Sequence, residues 1–346
     1  MKKVIIQLLK FALSSVIAIA VLSVFAIVYD NSPVTVPTNE PFTNSKYQSR
    51  QFWSYMKEGF GYGTIDKDGF NNAYLPDDFV PRTDTDILIL GSSHIEAAQI
   101  PEDKNLVYLL NDKLHSDNST DNDLMCYSAG VSGSFIVYTT STCKYAKDSF
   151  DGLDYIVFEA GSLDYPDDLI DGYLAGKYDT HYKGPGTLKA LAQTIPAARM
   201  IYHNFEDLIK NEFANTKSDS KDVATDKAPS YEKMCDAITD NILSAANDCG
   251  AKAILLCHSQ LTVGEDGKIT APKSEPLDLY KKVCAEKGII LVDMSDSFIE
   301  YYNSNLVLPY GFANTTPGKG HLNKTGHSLI SDRLYEVISE NIGEDK

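Results

Sequence analysis

The sequence predicts an α/β fold: a three-layer sandwich around a central parallel sheet of about five strands, behind an N-terminal transmembrane helix. Three observations carry the prediction. Short runs between residues 86 and 294 are nearly continuous in apolar character, as strands buried on both faces of a parallel sheet are. Helical patterns lie between several of these runs, which is the alternation of a layered α/β domain. Residues 11–29, FALSSVIAIAVLSVFAIVY, contain no charge.

Taken in order, the uncharged run comes first. Nineteen residues at about 1.5 Å each span roughly 28 Å, close to a bilayer core. Lys2, Lys3 and Lys10 precede the run and Asp30 follows it. The positive-inside bias then puts residues 1–10 in the cytoplasm and the bulk of the chain outside, on a single-pass cell-membrane anchor. A cleaved signal peptide is the rival reading, but it has a shorter apolar core and a small-x-small site, which this run lacks. Residues 30–83 open with DNSPVTVPTNEPFTNSKYQSR, a stalk by composition. They continue with aromatics and turn signals, as in a segment packed on a domain edge. Residues 84–343 form the main domain. Its strand runs are Asp86–Gly91, Asp123–Gly130, Asp154–Gly161, Ala251–Ser259 and Ile289–Met294. Its helices include SYEKMCDAITDNILSAANDCG, with Met234, Ile238, Ile242 and Ala245 at helical spacing, then EPLDLYKKVCAEKG and the C-terminal TGHSLISDRLYEVISENIG. Residues 167–227 break the rhythm and read as an insertion, a lid or cap, with one helix over roughly 187–213.

Charge and cysteines exclude other classes. The 346 residues carry a net charge of −17. Such a surface repels nucleic acid, so no nucleic-acid partner is expected. The cysteines at 126, 143, 235, 249, 257 and 284 show no metal-ligand spacing, and they read as reduced core residues. No metal site and no cofactor is expected.

In open parallel sheets, ligands bind beyond the carboxyl ends of the strands. The loops there are GSSHIE, SAGVSG, AGSLDYPDD, CHSQ and DMSDS. Ser93, at a strand end before a helix, is either a cap or a nucleophile supplied with backbone N–H donors. His321, in GKGHLNKTGH, is either a loop histidine or a general base. Gly130 either closes a strand-end turn or lets backbone approach a substrate. His258 reads as a satisfied histidine at the core edge.

Together these pieces resemble the SGNH (GDSL-like) hydrolase superfamily over roughly residues 85–342. The resemblance implies that Ser93 is the nucleophile, that His321 is the base, and that the N–H groups of Ser93 and Gly130 hold the oxyanion. It implies an extracytoplasmic serine esterase acting on acyl groups, O-acetyl above all, of surface or cell-wall carbohydrate. The alternatives are an acyltransferase on envelope polysaccharide and a non-catalytic carbohydrate-binding or assembly protein. Two departures stand out. Leu163 occupies the place of the family's oxyanion Asn, and Gly318 that of the His-orienting Asp. Loss of one oxyanion donor costs about 10²–10³ in rate, and loss of the orienting carboxylate about 10⁴. A Ser–His dyad is therefore expected. His94 is available as a replacement donor, Asp296 or Asp164 could orient His321, and His94, Ser162 and Asp164 are pocket candidates.

Overall fold

The computed structural model describes residues 2–31, 33–37, 45–72, 74–116, 124–133, 136–177, 195–201, 228–264, 268–271 and 274–344. A long helix, α1 (Lys2–Tyr29), leads straight into strand β1 (Asp30–Asn31). Strands β2 (Thr35–Pro37) and β3 (Ser45–Tyr47) pair antiparallel. Strands β4 (Phe52–Tyr55) and β5 (Gly61–Thr64) form a hairpin, and β1 adds to its β4 edge. So β1, β2 and β3 lie in the part read as a stalk, and β4 and β5 in the part expected to pack on a domain edge. A short helix α2 (Pro81–Asp84) then enters the main domain.

The five predicted strand runs are the five strands of the central sheet: β6 (Ile87–Gly91), β7 (Cys126–Gly130), β8 (Tyr155–Ala160), β9 (Lys252–Cys257) and, after the small hairpin β10 (Thr262–Val263) and β11 (Ile269–Thr270), β12 (Ile290–Asp293). Every pair in this sheet is parallel, in the order β12-β9-β8-β6-β7. That order reverses direction between β6 and β8. The crevice beyond the carboxyl ends of those two strands is where such sheets bind ligands.

Helices cover both faces, because strands this apolar need a layer on each side. On one face, α5 (Thr139–Ser149), α7 (Ala228–Cys249) and α8 (Glu275–Lys287) pack with α6 (Asp167–Leu174) over Leu88, Leu90, Ile156 and Leu255. The predicted stripe Met234, Ile238, Ile242 and Ala245 is fully buried there. On the other, α4 (Leu106–Ser116), α9 (Ser295–Asn305) and α10 (Lys324–Glu344) cover Ile87, Ile89, Val157 and Ile254. The helix expected over 187–213 lies mostly outside the described residues. All six cysteines are buried and unpaired.

Edge strand β7 would expose a row of backbone groups. Asn72, from the 30–83 segment, covers it. Its Oδ1 accepts from Ser128 N at 3.1 Å, and its Nδ2 donates to Ser128 O at 2.9 Å. Asn111 meets Cys126 N and O in the same way.

His327 ties the last helix to α4. Its Nδ1 accepts from Leu106 N at 3.1 Å, and burial, aided by His94 and His258, lowers its pKa from 6.5 to about 3. A histidine held neutral in the fold and free to charge when unfolded stabilises above about pH 6.5. That stability is lost as pH falls toward 3, at about 1.4 kcal/mol per unit. His327→Asn keeps an acceptor in the Nδ1 position without the titration. Thermal midpoints measured by circular dichroism from pH 7 to 4 are expected to fall less steeply for this variant than for the wild type. Equal slopes would contradict the account.

Candidate active site

The site is built at the turn after β6. Ser92 caps the short helix α3 (Ser93–Glu96), its Oγ accepting from His94 N at 3.3 Å. Glu159, on β8, holds the turn from below: its Oε2 accepts from Ser92 N at 2.7 Å. The other oxygen of Glu159 takes His258 Nε2 at 2.7 Å, and His258 Nδ1 meets the Tyr310 hydroxyl at 2.6 Å. Burial opposes charge on Glu159, but His258 holds its carboxyl far below the usual range, at about 2. His258 is thus a satisfied buried histidine, and its partner Glu159 anchors the turn that presents Ser93.

Ser93 and His321 meet. His321 Nε2 lies 2.8 Å from Ser93 Oγ, although 228 positions separate them. His321 Nδ1 lies 2.6 Å from Glu58 Oε2, and His321 N donates to Glu58 Oε1 at 2.9 Å. The carboxylate missing at Gly318 therefore comes from the β4–β5 hairpin, and the expected dyad is a Ser–His–Glu chain. Asp164 lines the neighbouring cavity and Asp296 a second groove beside Lys281. Neither of them is the carboxylate on His321.

Local sequence explains why Glu58 fits. It sits in the loop between β4 and β5, whose next residues, GFGYG, pack flat on the chain after α3. Phe60 N donates to Gln99 O at 3.1 Å, and a side chain at Gly61 would collide with Ala98 O. On the other side, Gly320 has φ +87, and a Cβ there would strike the Glu58 carboxylate. Gly320 of GKGH clears the space that Glu58 fills, whereas Gly318 faces Leu308. Burial raises the pKa of Glu58, but its hydrogen bonds from His321 outweigh that and hold it below 4.5.

Gly130 lies opposite Gly91 in the β6–β7 register. A Cβ at Gly130 would overlap the backbone of Ile95 and Glu96, so only glycine lets β7 pass this close to α3. Alternation along β7 turns the N–H groups of Cys126, Ser128 and Gly130 away from β6. Asn111 and Asn72 meet the first two. Glu96, one turn past Ser93, braces the loop that follows: it bonds Ser132 and accepts from the Tyr47 hydroxyl, and burial raises its pKa to about 7.

A cavity of about 450 Å³ flanks the turn after β6, lined by Ser92 and His94, the sequence neighbours of Ser93, and by Ser162, Asp164, Gln260 and Tyr310 among others. Leu163 does not reach it. Its side chain is buried in the core, 3% exposed, which leaves Ser162 and Asp164 on the cavity side. His94 does reach it, stacked edge-on to His258 at 4.8 Å between ring centres and 5.1 Å from His321. Its Nδ1 accepts from Leu322 N at 3.2 Å. Among the described residues no cluster of His, Cys, Asp or Glu has a metal-binding arrangement.

Chemically, this arrangement can deprotonate a serine hydroxyl and return the proton. Glu58 accepts from Nδ1, which leaves Nε2 of neutral His321 free to accept from Ser93.

No family model matches the chain, and no curated protein matches it. Solved structures do. The chain is similar to a protein from Bacillus subtilis at 13% identity and a TM-score of 0.42, covering 78% of this chain and 59% of that one. It is similar to an acetyl xylan esterase at 16% identity and a TM-score of 0.39, covering 73% and 99%. It is also similar to a member of the lipolytic G-D-S-L family from Veillonella parvula, at 12% identity and a TM-score of 0.34, covering 73% and 97%. The likeness is one of fold.

Proposed function

We propose that the chain is an extracytoplasmic serine esterase of SGNH type, acting on ester-linked acyl groups of surface or cell-wall carbohydrate, O-acetyl groups above all. The observation that carries the reading is the unbroken hydrogen-bond chain from Ser93 through His321 to Glu58. Ser93 Oγ attacks the acyl carbonyl while His321 Nε2 takes its proton. The tetrahedral intermediate collapses, the C–O bond to the sugar breaks, and His321 gives the proton to the departing hydroxyl. Water then attacks the acyl-serine, His321 takes its proton, and the carboxylic acid leaves as the proton returns to Ser93. The hydroxyl- and amide-bearing cavity flanking the Ser93 turn suits a carbohydrate.

The oxyanion is held by the N–H groups of Ser93, first in its helix and without an intrahelical partner, and of Gly130. His94 supplies the third donor in place of the Asn that Leu163 replaces. The Leu322 N–H occupies Nδ1, so the proton of the neutral ring sits on Nε2, and the ring lines the cavity. Burial and the adjacent His258 lower the pKa of His94 to about 3, so it stays a neutral donor while the reaction runs. His94→Ala is expected to lower kcat by about 10²–10³ with KM nearly unchanged. A fall in affinity alone, with kcat intact, would remove His94 from the oxyanion site.

Acyl transfer is the second reading. The same cavity can seat a sugar hydroxyl in place of the water of the last step. Both readings are tested on the full-length protein in detergent, with a chromogenic acetyl ester and an acetylated oligosaccharide. Release of free acetate supports hydrolysis. Acetate moving to an added unacetylated sugar supports transfer. No turnover above the blank with either compound overturns both, in favour of a binding protein.

A further inference from the structure

The end of α1 is built into the piece of structure that presents Glu58. Ala26, in its last turn, is fully buried. Ser54, on β4, donates through Oγ to Ile27 O at 2.7 Å and accepts from Asn31 N at 3.2 Å. Met56 N donates to Tyr29 O at 3.1 Å, and Asp30 and Asn31 continue as β1 against Tyr55 and Ser54. Asp30 is buried, and its carboxylate pairs with Lys57 at 3.1 Å. Ser54, Met56 and Lys57 grip the helix end, and Glu58 is the next residue. The rest of α1 has no such cover: from Val4 to Val28 its large apolar side chains stand mostly exposed. Its 28 residues extend about 42 Å, matching a bilayer with its headgroups.

We propose that this grip holds the catalytic centre at the bilayer surface, and that its substrate is an acylated glycan tethered to that same surface. The inference rests on the esterase reading and on α1 lying in the membrane. The connection is short. From Tyr29 O the path runs through Met56 N, two residues to Glu58, and the hydrogen bonds to His321 and Ser93, so Ser93 Oγ lies at most about 25 Å from the helix end. A nucleophile at that height meets esters on the first sugars of a tethered glycan. Confinement of enzyme and glycan to one surface raises their effective concentration. The docked helix end also gives α1 a structural use beyond delivery: without residues 26–31, β4 keeps β5 but loses β1 from its other edge, and Ser54 loses its acceptor.

Trp53 is the only tryptophan in the chain and precedes Ser54 on β4, which makes it a native depth probe beside the helix end. The full-length protein is reconstituted in phosphatidylcholine vesicles carrying nitroxide on the headgroup or deep in the acyl chain. Headgroup nitroxide is expected to quench Trp53 emission and deep nitroxide to leave it unchanged. In the same vesicles, kcat/KM for a lipid-linked acetylated oligosaccharide is expected to exceed that for the free oligosaccharide by about 10²-fold. Protein that floats with the vesicles but escapes headgroup quenching overturns the inference and leaves the anchor standing. Protein that does not float overturns the anchor and the inference with it. Equal kcat/KM for the two sugars overturns the substrate assignment while leaving the esterase intact.

Discussion

Glu58→Gln is expected to lower kcat by about 10⁴ while leaving KM within a few-fold. The reason is the tautomer of His321. In the wild type both Glu58 oxygens accept, one from the His321 backbone N–H and one from Nδ1–H. A glutamine can match only one of these. If its oxygen keeps the backbone N–H, its NH₂ faces Nδ1 and donates to it. The ring proton then moves to Nε2, which can no longer accept from Ser93. Geometry, volume and fold are preserved, so a loss confined to kcat reads the proton chemistry directly. Steady-state kinetics with a chromogenic ester checks it. A Glu58→Gln enzyme within tenfold of wild type would reduce Glu58 to a structural ligand of the loop.

Ser93→Ala is expected to remove about 10⁶ in kcat, the scale seen when a serine nucleophile is deleted from an acting triad. Binding should survive. The cap on α3 is Ser92, the support beneath it is Glu159, and neither uses the Ser93 hydroxyl. Stability should stay within about 0.5 kcal/mol, since Ser93 is partly exposed and alanine suits a first helical turn. Isothermal titration with an acetylated oligosaccharide and burst-phase kinetics separate the two effects. Retained affinity with no acyl-enzyme burst is the expected pair of results. Retained turnover would mean that the ester is cleaved without Ser93.

What the chain discloses by itself follows from the range of each signal. The five strands were legible because a strand buried on both faces must be apolar throughout, as DILILG and DYIVFEAG are. Ser93, Gly130 and His321 were singled out by the family resemblance, since the local pattern of each alone fits a cap, a turn or a loop residue equally well; the 2.8 Å approach of His321 to Ser93 is what the fold adds. Glu58 was not. It lies 263 positions from His321, in a loop whose composition signals only turns. The only trace of it beside the histidine is Gly320, whose missing side chain leaves the space that the Glu58 carboxylate occupies. Glu159 was hidden for a different reason, as one polar residue inside a strand that otherwise reads as core. The small strands of residues 30–64 were not legible, because strands of two to four residues fall below any periodicity, and edge pieces share the polar, turn-rich composition of linkers. Leu163 was read correctly as unable to donate; its burial shows where the side chain goes instead.

The most direct test of the central claim is covalent. The full-length protein is treated with a fluorophosphonate, digested and read by mass spectrometry, alongside His321→Ala and Glu58→Gln. The account predicts a single adduct on Ser93 in the wild type, none in His321→Ala, and strongly slowed labelling in Glu58→Gln. An unlabelled Ser93, or equal labelling with and without His321, would contradict it.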